Sequence, residues 1–156
     1  MALDPDAIYF PEADIIPSFA YAFMRMMFAH ANFEGEVDRL QRAITSAKSG
    51  KRWDARSRPN RMADLIEKHL GSIPEAKPIT QILTHAIDPC DRRNLLAHGR
   101  WWRFDPKTAT ITIRGERKGQ AEWADYTEAE ISRIAVELKG HAAELYKLRR
   151  SIEERE

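Results

Sequence analysis

From Pro17 to Lys48 the apolar positions advance by threes and fours. Phe19, Phe23, Met26, Phe33, Val37, Leu40 and Ile44 fall on one stripe, the pattern of a single long helix with one buried face. Pro17 suits its first turn. The run KSGKRWDARSRPNR breaks the pattern with Gly50 and Pro59. A second helix is then predicted through Met62, Leu65, Ile66, His69 and Leu70 to Gly71, a C-terminal cap. A third begins near Pro78 and runs through Ile79, Ile82, Leu83, Ala86 and Ile87; Pro89 kinks or restarts it before it continues through Cys90, Asn94 and Ala97 to Gly99.

Beyond Gly99 the period changes from helical to alternating. RWWRF and ATITIRG flank DPKT, which reads as a short β-hairpin, and AEW adds a third edge strand. TEAE, Thr127 to Glu130, has the form of a capping box. Ile131, Ile134, Leu138, Leu145, Leu148 and Ile152 then mark a final long helix. The sum is a mainly α protein: an antiparallel four-helix bundle with a small β-hairpin inserted before the last helix.

Composition narrows the class. At 156 residues, 43% hydrophobic and 31% charged, the chain suits one globular domain spanning 1–156. A net charge of +1 supplies no global attraction to polyanions, so any such binding must come from local patches. The lone cysteine, Cys90, cannot form an internal disulfide and fits a reducing, cytoplasmic setting as a small buried hydrophobe. The acidic, proline-bearing start MALDPDAIYFPEAD is the wrong chemistry for a signal peptide. FAYAFMRMMFAHANF is shorter than the roughly 20 residues a membrane span needs and carries Arg25 and His30.

The chemistry gathers in DPCDRRNLLAHGRWW. Arg93 and His98 lie five residues apart, about 140° around an ideal helix, so both reach one ligand only where the helix ends. Gly99 is expected to end it by adopting a left-handed conformation. Asn94, four residues before His98, can lie beside the imidazole and orient it. Arginine offers a permanently charged fork to phosphate oxygens, and histidine trades protons near neutrality. A second account needs no ligand: a histidine at a helix C-terminus favours the dipole, and an arginine there can bond the last carbonyls.

The stretch RRNLLAHGRWW resembles the signature of the HEPN superfamily: an arginine, four to six residues of which the first is polar, and a histidine. The helical order agrees over most of the chain. The resemblance implies an all-α bundle that dimerises so that two motifs face one cleft, acting as a metal-independent endoribonuclease without a cofactor. On that reading His98 is general base or acid on the 2′-hydroxyl or the leaving oxygen, Arg93 stabilises charge on the phosphate, and Asn94 orients. RNA, a second copy of the chain, and an antitoxin or regulatory protein are the implied partners, in a toxin–antitoxin or phage-defence setting. Other members of the superfamily have lost activity or serve as binding modules, so a non-catalytic module binding nucleotide, RNA or a protein is the alternative. A subset of the toxins carries a tyrosine two residues after the histidine, as an adenylylation site. Arg100 stands there in this chain, so that regulation is not expected.

Further candidates lie outside the motif. His30 sits on the apolar stripe of the first helix and needs a partner; Glu34, four residues on, is one, and a place beside Arg93 and His98 in a cleft is the other reading. Lys48, Lys51, Arg52, Arg56, Arg58 and Arg61 surround Trp53 with Asp54 the one acid among them. Such a run is either a solvated loop or a phosphate-tracking one with a stacking ring. Arg100 and Arg103 flank the motif as further nucleic-acid contacts. Cys90, His85 and His98 lack paired ligand spacing, so no metal site is expected.

Overall fold

The computed structural model describes residues 8–9, 16–48, 66 and 73–155. Its elements run β1 (Ile8–Tyr9), α1 (Pro17–Lys48), α2 (Ala76–His85), α3 (Ile87–His98), β2 (Arg100–Asp105), β3 (Thr110–Arg117), β4 (Gln120–Thr127) and α4 (Glu128–Glu153). The long first helix and the long last helix match the periodicity. The predicted second helix lies outside the described residues except for Ile66, which is helical and buried.

The third helical pattern divides in two. Pro89 has no N–H to give to the carbonyl of His85. The chain therefore breaks at Ala86 and restarts, with Cys90 N–H reaching Ala86 O at 3.0 Å.

The expectation of an antiparallel four-helix bundle with a small inserted hairpin is corrected. The chain is mixed α/β, mainly helical, with a four-stranded antiparallel sheet in the order β1-β2-β3-β4. The strands are longer than the sequence pattern implied because β3 and β4 turn on Lys118 and Gly119, at φ 51° and 76°. Two successive left-handed residues form the tight turn whose twist suits a two-residue hairpin. They allow β3 and β4 to pair from Arg117↔Gln120 to Thr110↔Thr127. At the other edge Ile8 and Tyr9 pair with Phe104 and Arg103, a strand too short to show periodicity.

The sheet is a wall of a core, with Ile111 and Ile113 fully buried and Tyr126 nearly so. Phe104 meets Phe19 edge-on at 5.8 Å, and Trp101 meets Phe23 edge-on at 5.5 Å. The sheet's apolar face thus takes the start of the α1 stripe, a role the bundle reading gave to another helix.

Two compact units divide the chain: residues 1–28 with 91–136, and 29–90 with 137–156. The first holds the sheet, the start of α1, most of α3 and the start of α4. Its capping box forms as TEAE predicts, Thr127 N–H donating to Glu130 Oε2 at 2.7 Å and Glu130 N–H to Thr127 Oγ1 at 3.2 Å. The second is helical among its described residues, with Phe33, Leu40, Ile44, Ile79, Leu83, Leu138 and Leu145 in its core. There the buried Glu36 accepts from Arg149 Nε at 2.5 Å, and that carboxylate holds the guanidinium above its ordinary pKa.

His141, half-buried on α4, titrates below the ordinary histidine value of 6.5, chiefly through desolvation; Glu137 opposes the shift and His85 adds to it. Below pH 6.5 the unfolded chain therefore binds the proton more readily than the folded one, so stability is full above that value and falls as pH drops toward the folded pKa. His141→Gln should flatten the dependence of melting temperature on pH between about 7 and about 5. An unchanged profile in thermal denaturation would assign the dependence to other groups.

Candidate functional site

The motif occupies the last turns of α3, in the unit that holds the sheet. Two carbonyls at the end of this helix are met by groups other than the motif side chains. Gly99 N–H donates to Leu95 O at 2.7 Å, and the indole Nε1 of Trp101 donates to Leu96 O at 2.9 Å. Two of the carbonyls a helix end leaves open are thereby closed from the first residues of the following strand.

Gly99 does not act by the left-handed conformation expected of it, since Gly119 alone among the described glycines has a positive φ. Its role is steric. A β-carbon there would run into Leu95 O and Ile113 Cγ2 and stand 3.2 Å from Arg114 O. Gly115 likewise makes room for Leu95. Glycine at both positions lets the end of α3 lie directly on β3.

His98, the last residue of α3, is exposed. Among the described residues it makes no hydrogen bond, ion pair or ring contact. Arg93 is half-buried, and its Nη1 donates to Asn94 Oδ1 at 2.9 Å. Asn94 therefore orients Arg93, in place of the histidine that four-residue spacing suggested. Arg93 Nε is buried with no acceptor among the described residues, an arrangement that typically costs about 1–3 kcal/mol. Arg92 beside it lies over the Tyr126 ring at 5.9 Å.

The other expected residues differ in their surroundings. Arg100 is exposed over the ring of Trp102 at 5.2 Å. Arg103 reaches across to its neighbour on β3, donating from Nε to Thr112 Oγ1 at 3.3 Å. Arg52, Arg56 and Arg58 lie outside the described residues. His30 is buried with Nδ1 3.6 Å from Glu34 Oε2, beyond hydrogen-bond length, and both belong to the unit of residues 29–90 with 137–156. Trp101 and Trp102 face opposite sides of β2 as alternation requires, one against Phe23 and the other against Trp123 at 5.9 Å.

Trp123 and Arg114 were missed. Their signal, alternate positions of neighbouring strands, becomes visible only once the β3–β4 register is known. Among the described residues, no three His, Cys, Asp or Glu side chains come together to hold a metal ion. No helix there is long and apolar enough to cross a membrane. No family model, curated protein or solved structure matches the chain.

Gly99→Ala should destabilise the protein by about 1–3 kcal/mol, because two of the three obstructing atoms are backbone oxygens that cannot swing away. Gly140→Ala, with nothing near its added methyl, should be neutral or stabilising. Denaturant unfolding of the two variants checks the contrast.

Proposed function

We propose that the chain is an HEPN-like, metal-independent endoribonuclease working in the cytoplasm as a homodimer. One observation carries the reading. Gly99 and Trp101 close two of the carbonyls at the end of α3, the His98 side chain closes neither, and it stands exposed and unengaged among the described residues. An unengaged imidazole at neutral pH is suited to proton transfer.

In the proposed reaction His98 takes the proton of a ribose 2′-hydroxyl or delivers one to the leaving 5′-oxygen. The 2′-oxygen attacks the adjacent phosphorus, the P–O5′ bond breaks, and the products are a 2′,3′-cyclic phosphate and a 5′-hydroxyl. Arg93, positioned by Asn94, offers its remaining donors to the phosphate oxygens on which charge builds. A second copy would complete the site by bringing another Arg93–His98 pair to the same cleft. The exposed Tyr21, Met24 and Phe28 supply an apolar strip on α1 of the kind an interface buries. An antitoxin or regulatory protein would act by covering this cleft.

His98→Ala should lower cleavage of single-stranded RNA in EDTA by at least roughly a hundredfold, with little change in stability because the side chain is exposed. Arg93→Lys should also be damaging, since lysine cannot present a planar fork to phosphate. Wild-type protein that cleaves no RNA pool, together with a lower melting temperature for His98→Ala, would return His98 to a structural role. By analytical ultracentrifugation the protein should sediment as a dimer at micromolar concentration, and Phe28→Glu should shift it to monomer. A monomeric wild type would remove the composite site.

A further inference from the structure

The sheet face opposite Phe19 and Phe23 carries a constellation that the proposed cleavage does not use. Arg100 of β2, Arg114 of β3 and Trp123 of β4 are direct cross-strand neighbours in one row. Trp102, two residues beyond Arg100 on β2, falls on the same face by alternation, and its ring meets Trp123 edge-on at 5.9 Å. The guanidinium of Arg100 lies 5.2 Å from the Trp102 ring centre and that of Arg114 5.7 Å from the Trp123 ring centre. Trp123 is 44% exposed, a large apolar surface to leave in water.

The two arginines are exposed, and among the described residues neither pairs with a carboxylate. Like charges directly opposite on neighbouring strands destabilise a sheet. An anion between them would relieve that repulsion. Of the acids near this row, Asp105 accepts from Lys107 N–H at 2.8 Å, which holds its carboxyl below the ordinary range, and Asp125, two residues beyond Trp123, accepts from Thr112 Oγ1 at 2.5 Å. Glu116, exposed two residues beyond Arg114, bounds the patch at one end.

We infer that this face docks single-stranded nucleic acid, with unpaired bases stacking on Trp123 and Trp102 and the adjoining phosphates lying against Arg100 and Arg114. The chemistry selects this occupant. An acidic peptide would satisfy the arginines and leave the exposed Trp123 ring in water, whereas a duplex would keep its bases away from it. Stacking needs only a π-face, so the platform accepts any base. The inference shares a polynucleotide with the proposed function and does not depend on cleavage.

Fluorescence anisotropy of a labelled single-stranded RNA of roughly twelve nucleotides, and of the same DNA sequence, tests it with the full chain in EDTA. Trp123→Ala should weaken binding on the order of tenfold, and Trp123→Phe should retain most of the affinity. Arg114→Gln should weaken binding and reduce the slope of log affinity against log salt by about one. An abasic strand should bind more weakly and be insensitive to Trp123→Ala. Circular dichroism confirms folding of each variant, and a denaturing gel of the same samples reads cleavage separately, so failure of the platform and absence of nuclease chemistry are distinguished. Binding of either strand with these dependences supports the inference. No binding at tens of micromolar, unchanged affinity in Trp123→Ala together with unchanged affinity and slope in Arg114→Gln relative to wild type, or equal binding of a duplex or an acidic peptide overturns it.

Discussion

Trp101 ties together three elements that would otherwise have separate fates. Its ring sits edge-on to Phe23, joining β2 to α1, and its indole N–H closes the Leu96 carbonyl at the end of α3. Because the residue follows Gly99 by only two positions, the chain must leave the helix and enter the strand almost at once. Gly99 permits this by having no side chain where Leu95 O, Ile113 and Arg114 O converge. The position of the motif thus follows from one aromatic contact, one hydrogen bond and one missing β-carbon. A bulkier residue at 99 would push α3 off β3 and carry Arg93 and His98 with it.

The two compact units meet their polar obligations differently. In the sheet-bearing unit they include a local closure, the Thr127–Glu130 box, and the Arg103–Thr112–Asp125 chain between neighbouring strands. In the helical unit, charges are buried and paired over long sequence separations. Glu36 joins Arg149, while Glu75 accepts from Ser151 Oγ at 2.9 Å and pairs with Arg155. Buried pairs of this kind specify an arrangement more than they stabilise it, because desolvation offsets most of the attraction.

Structural self-sufficiency around the motif bears on function. A side chain already used to finish a helix or fill a core has little freedom to meet a substrate; among the described residues His98 has no such task, and Arg93 has Asn94 as its one hydrogen-bond partner. The same distinction separates Arg103, spent on Thr112, from Arg100 and Arg114, which rest over indoles and keep their donors available. Selective availability, in a chain of nearly zero net charge, is what gives a local patch chemical meaning.

The sequence by itself determined the elements governed by local rules: the α1 stripe, the restart at Pro89, the capping box and the long last helix. It also placed Arg93, Asn94 and His98 on one helix end, since spacing along a helix is a local property. Tertiary structure decided the rest. Whether alternating segments make an appended hairpin or a core-forming sheet depends on pairing partners far apart in the chain, and β1 was too short to announce itself. Asn94's choice of Arg93 over His98 was one of side-chain geometry that spacing leaves open. The steric role of Gly99, and the row of Arg100, Arg114 and Trp123, needed cross-strand register, which no single segment encodes.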